Sequence, residues 1–79
     1  MKRLRWQCRR GMLELDTLLH GFLANGYEQL NTQQRDRFQQ LLSYPDQALF
    51  EMLMGRMQAT DAKVQDVIHA IRYSARVRA

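Results

Sequence analysis

The sequence has one cysteine, one proline and four glycines in 79 residues. A single thiol, Cys8, excludes an internal disulfide and any cysteine-built metal cluster. It fits a reducing compartment. β-Branched residues are few, while leucine, glutamine, methionine and arginine are plentiful, which favours helix over strand. No apolar run approaches the roughly 18 residues that span a bilayer. The basic start, Lys2 to Arg10, has the charge of a secretory n-region. The stretch behind it is broken by Glu14, Asp16, His20 and Asn25, so an apolar h-region is lacking. A soluble, cytoplasmic chain without membrane insertion is expected.

Acids are missing from both ends. Residues 1–10 carry Lys2, Arg3, Arg5, Arg9 and Arg10, and residues 67–79 carry Arg72, Arg76 and Arg78; all eight acids lie between, and the net charge is +4. Basic ends suit nucleic acid, an acidic lipid surface or an acidic protein, or are simply solvated. No helix-turn-helix spacing accompanies them, so nucleic acid is not the expected partner. Ligand-spaced motifs are also lacking: His20 and His69 stand alone, and neither HExxH nor CxxC occurs, so no metal site is expected. Cys8 lies beside Arg9 and Arg10, which lower the pKa of an exposed thiol. No base is spaced to activate it, and no catalytic residue is expected.

The apolar spacing describes an all-α, compact bundle of four to five short helices in one domain, with residues 1–4 and 75–79 flexible. A first short helix over 2–9 turns Leu4, Cys8 and Trp6 inward, and Gly11 breaks it. A second starts at Met12 and runs to Asn25-Gly26, with Leu15, Leu18, Leu19, Phe22 and Leu23 on its apolar side. Tyr27 to Leu30 makes a turn or a short helical piece. Asn31 and Gln34 form a capping box for a helix over 32–43 that buries Phe38, Leu41 and Leu42. Pro45 opens the next helix and Gly55 closes it, with Ala48, Leu49, Phe50, Met52, Leu53 and Met54 as buried candidates. Thr60-Asp61 caps the last helix, whose Val64, Val67, Ile68 and Ile71 form the clearest amphipathic stripe. The chain is expected to fray after Ser74.

The stretch QCRRGMLELD places Gly11 between an arginine pair and Glu14. In one reading Gly11 only separates two helices, and Glu14 complements the dipole of the second, worth about 0.3–1 kcal/mol, with an arginine paired to it. In the other, Gly11 lets another protein's backbone approach, Arg10 and Glu14 supply charged hydrogen bonds at the edge of that contact, and Trp6 anchors it. The residue pattern by itself leaves both open.

The segment RWQCRRGMLELD, with its Arg10-Gly11-x-x-Glu14 signature, the upstream Trp6, Asp16 and the later LLSYPDQALFEMLMG, resembles the SdhE-like family of succinate dehydrogenase flavinylation factors. The family's usual tryptophan after the Pro-Asp pair is absent here. The resemblance implies a five-helix fold and binding to the flavoprotein subunit of succinate dehydrogenase, and of the related fumarate reductase. It also implies promotion of covalent FAD attachment to a histidine of that subunit. FAD is then the client's cofactor, and none is expected to be held stably by this chain. The expected client-binding residues are Arg10, Gly11 and Glu14, then Trp6, Arg9 and Met12, then Arg3, Arg5 and Asp16, on a chain that is monomeric alone. A small basic regulator, or an antitoxin-type protein binding nucleic acid or a toxin, is the alternative.

Overall fold

The computed structural model describes the backbone of residues 2–78 and the side chains of residues 3–76. Five α-helices occur among them: α1 (Lys2–Gln7), α2 (Leu13–Asn25), α3 (Thr32–Leu41), α4 (Asp46–Leu53) and α5 (Ala62–Arg78). A 3-10 turn, Tyr27–Gln29, joins α2 to α3. The all-α bundle expected from the apolar spacing is the fold observed.

The long helix α5 is the spine, packed against α2, α3 and α4. Its stripe of Val64, Val67, Ile68 and Ile71 is buried, facing Leu15, Leu19, Phe22, Phe38, Leu41, Leu49 and Met52 in one continuous core. Phe38 sits at the centre of an aromatic cluster, with its ring centroid 5.6 Å from Phe22 and 5.4 Å from Tyr27, spacings at which aromatic pairs attract beyond their burial. The radius of gyration is 11.2 Å, against about 12 Å for a compact chain of this length. So small a body leaves its short helices dependent on the common core.

Helix boundaries follow from local chemistry. The Asn31 side chain accepts from the Gln34 N–H at 2.8 Å, and the Gln34 side chain accepts from the Asn31 N–H at 2.9 Å, closing the capping box. The Asp61 carboxylate accepts from the Lys63 N–H at 2.8 Å at the start of α5. That bond holds its pKa below the usual carboxylate value. Pro45 precedes the first turn of α4, and Gly55 follows its end at φ +83°, a left-handed conformation that glycine adopts without strain.

One expectation is corrected. Trp6 does not turn inward: it is 75 % exposed, while Leu4 and Cys8 of the same segment are buried. Helical geometry in α5 extends to Arg78. The expectation of flexible ends falls in part on Met1 and Ala79, which lie outside the described residues.

Replacing Asn31 with alanine removes the side-chain half of the capping box. The expected cost is about 1 kcal/mol, or roughly 4–8 °C in melting temperature for a domain of this size. Thermal unfolding followed by circular dichroism checks it, and an unchanged midpoint contradicts the assignment.

Candidate functional site

The segment between α1 and α2 is built around one side chain. The Arg10 guanidinium donates from Nε to Asp46 Oδ1 at 2.7 Å, from Nη1 to the carbonyls of Leu42 at 2.8 Å and Gln7 at 3.1 Å, and from Nη2 to the Tyr44 carbonyl at 2.9 Å. Its side chain is only 15 % exposed. Leu42 closes α3 and Asp46 opens α4. A cation at the carbonyl end of one helix and a carboxylate at the amide end of the next both oppose the local helix dipole favourably. The planar fork of arginine can serve all these acceptors at once; the single ammonium of lysine cannot.

A second carboxylate grips the same place from the other side. Asp16 Oδ1 accepts from the Arg10 N–H at 2.7 Å and Oδ2 accepts from the Gly11 N–H at 3.2 Å. Met12, at the N-cap of α2, makes no side-chain cap of its own. The hook from Asp16 back to residues 10 and 11 therefore sets how the chain enters the helix. Gly11 stands there at φ +86°. A Cβ built at this glycine meets nothing within 4 Å. Glycine is thus suited to the site by its backbone, and its outer side is open.

His20 adds a third tie. Its Nδ1 lies 2.9 Å from the Asp16 carbonyl and its Nε2 lies 3.0 Å from the Arg5 carbonyl, joining α2 to α1. Together these bonds fasten a short, weakly packed N-terminal segment to the bundle.

The sequence-predicted site residues divide between the inside and the outside. Arg10 and Asp16 point into the protein's own hydrogen bonds, and no ion pair joins Glu14 to an arginine among the described residues; Arg10 pairs with Asp46 instead. Met12 is half-buried and packs on the core. Gly11 and Glu14 are exposed, as are Arg3, Arg5 and Arg9. Trp6, Arg9 and Arg10 come together along an open cleft of about 540 Å³ that Gln39, Ser43 and Asp46 complete. Arg3 borders a neighbouring cleft that shares Gln7 and Gln39 with it. Leu13, inside the Arg-Gly-x-x-Glu stretch, is 83 % exposed. Its spacing from Leu15 and Leu19 sets it off the apolar face, and that displacement is the signal that marks it. In the sequence Asp46 is only part of a helix start; its pairing with Arg10 spans 36 residues and leaves no local pattern.

Cys8 belongs to the core rather than to the site. Burial pushes its thiol up to about 11, against the opposing pull of the Arg10 charge. The lowered pKa that neighbouring arginines give an exposed thiol is therefore not what this one has. Among the described residues no three His, Cys, Asp or Glu side chains are grouped to hold a metal, and no helix is long and apolar enough to cross a membrane.

Residues 2–75 match the family described as flavinator of succinate dehydrogenase, and the chain belongs to that family. Relatives named FAD assembly factor SdhE share this sequence along most of its length. The one from Coxiella burnetii is 38 % identical over 71 residues, covering 90 % of this chain and 87 % of the relative. That of Legionella pneumophila is 41 % identical, covering 89 % and 87 %. That of Pseudomonas syringae pv. tomato is 42 % identical, covering 90 % and 84 %.

Two outcomes are expected at this site. The Cys8 thiol should resist an aromatic disulfide reagent at pH 8 in the native protein and react at once in denaturant; rapid native reaction contradicts its burial. Gly11→Ala should cost about 1–2 kcal/mol through its left-handed backbone, with Gly11→Asn costing less. Equal denaturant midpoints for all three chains would contradict that account.

Proposed function

We propose that this protein binds the flavoprotein subunit of succinate dehydrogenase and promotes covalent attachment of FAD to it, without a catalytic group of its own. The observation that carries the reading is the family match across residues 2–75. The exposed surface of the segment supports it: an open glycine backbone at Gly11, the exposed Leu13 and Glu14 just after it, and the exposed Trp6 on the cleft that Arg9 and Arg10 line. Aromatic and apolar anchors beside a charged hydrogen-bonding group are what a specific protein contact needs.

In this reading Leu13 and Trp6 supply apolar contact, Glu14 accepts from donors of the client, and Arg9, Arg3 and Arg5 add steering charge. Arg10 and Asp16 act from behind, holding the backbone that carries Gly11. The attacking histidine and the flavin both belong to the client. The factor favours the client conformation in which they are aligned, and positioning alone can supply much of a barrier's reduction. A one-to-one complex of a cytoplasmic monomer, with the flavoprotein of fumarate reductase as a second client, completes the proposal.

The test is covalent flavin fluorescence of the client subunit on a denaturing gel, in a host that lacks its own factor. The native chain should restore the signal. Gly11→Arg should abolish it by bulk and charge, beyond any loss in Gly11→Ala, which shares its backbone strain, and Glu14→Ala should reduce it about tenfold, the scale of one charged hydrogen bond, with helical circular dichroism intact. No restoration by the soluble native chain, with a client from the same source, overturns the reading.

A further inference from the structure

We infer that Asp46 is a positioning residue for client binding: through Arg10 it ties the start of α4 to the Gly11 segment and fixes the form in which that segment is presented. The inference rests on the functional reading above and adds to it a residue outside the Arg-Gly-x-x-Glu stretch. Its basis is geometric. The Arg10 guanidinium is mostly enclosed, and its acceptors lie on three segments: Gln7 on α1, Leu42 and Tyr44 in the α3–α4 corner, and Asp46 on α4. Carbonyl oxygens accept from any donor, but among the described residues Asp46 alone forms an ion pair with this cation, at 2.7 Å. Without it, a cation 15 % exposed would keep three neutral acceptors and no counter-ion, an arrangement that favours its release toward water.

Release would be felt at Gly11 directly. The Arg10 N–H and the Gly11 N–H share one carboxylate, Asp16. The backbone of residues 10 and 11 is therefore held between Asp16 on one side and, by way of the arginine side chain, Asp46 on the other. Loss of the second hold leaves the left-handed glycine tied by Asp16 alone. A binding surface that must order itself at the moment of contact binds more weakly than one already ordered. The Asp46 side chain is 43 % exposed and also borders the cleft beside Trp6 and Arg9. A direct charge contact to the client therefore has to be separated from positioning.

The experiment is a double-mutant cycle on the full chain. It reads affinity for the apo flavoprotein subunit by titration calorimetry, the Arg10 Nε–H resonance by nitrogen-proton NMR, and folded fraction by circular dichroism. Asp46→Ala should weaken binding about tenfold, the ratio that accompanies loss of one charged hydrogen bond, and broaden or remove the Arg10 Nε–H signal while the helices stay folded. Asp46→Asn keeps an oxygen acceptor for Nε but removes the counter-charge; it should also weaken binding and broaden the Arg10 Nε–H signal in the free protein, a change that loss of a direct charge contact to the client would not make. Arg10→Lys should weaken binding comparably, and the double variant should be no weaker than the worse single one, because both act through one link. Should Asp46→Ala lose its helicity, Asp46→Asn and Arg10→Lys carry the same cycle. Native affinity in Asp46→Ala, additive losses in the cycle, or an unchanged Arg10 Nε–H signal in the free Asp46 variants overturns the inference while the functional reading stands. Failure of the native chain to bind overturns both.

Discussion

The Arg10 guanidinium is the contact through which the short N-terminal helix, the α3–α4 corner and the approach to α2 meet. α1 is six residues long and, among its described side chains, contributes Leu4 to the core, followed by Cys8. A helix that short has no independent stability. It is held to the bundle by Arg10, just beyond it, which reaches across to the Leu42 and Tyr44 carbonyls and to Asp46, and by His20 at the Arg5 carbonyl. The same bonds satisfy the corner between α3 and α4, where Pro45 has no N–H to offer and the last carbonyls of α3 lack helical partners. One side chain thus closes a helix end, pairs with a helix start and fixes the approach to α2. The exposed Gly11–Glu14 ridge inherits its geometry from that arrangement.

The helices were legible in the residues because their signals are local. Asn31 and Gln34 announce a capping box three residues apart, and Val64, Val67, Ile68 and Ile71 repeat at the helical interval. Both features appear in the structure as read. Trp6 was misread for a physical reason. In a helix of fewer than two turns, spacing cannot fix which side faces the core, and the large apolar character of tryptophan pulled the reading inward. Its exposure follows from the register set by Leu4 and Cys8, four residues apart and both buried. Along α5, which continues as helix to Arg78, the Arg72 guanidinium lies against Gly55.

The site was legible as a stretch, not as an arrangement. Arg10, Gly11, Glu14 and Asp16 stand out in the sequence because charge and glycine meet abruptly there. Their spacing does not say which of them face outward. Two of the three charged residues of the stretch turn inward, since a carboxylate one turn into α2 is within reach of the N–H groups that precede the helix, and an arginine at position 10 finds its acceptors 32–36 residues away. Contacts at that separation belong to the tertiary fold. The two sequence readings of Gly11 also turn out to be compatible. Its φ of +86° is a backbone requirement, and the open space beyond its Cα is an opportunity for contact.

In the proposed function, a division of labour within the stretch lets a small chain bind a partner without ordering its own loop first. Association costs translational and rotational freedom plus the ordering of whatever is loose at the interface. A chain of 79 residues can offer only a modest contact area against that cost, so little can be spent on ordering its own loop. Charges tied to the protein's own groups, at Arg10, Asp16 and the partly exposed Asp46, remove that ordering cost before a partner arrives. In the proposed function the exposed side chains of Trp6, Leu13 and Glu14 are then left to make contact with it. A variant that weakens the inner set should behave like one that weakens the outer set in an activity assay. The two differ in the free protein, where only the first loosens the Gly11 backbone. That difference makes the signature arginine a part of the scaffold and its glutamate a part of the surface, although they stand four residues apart in the chain.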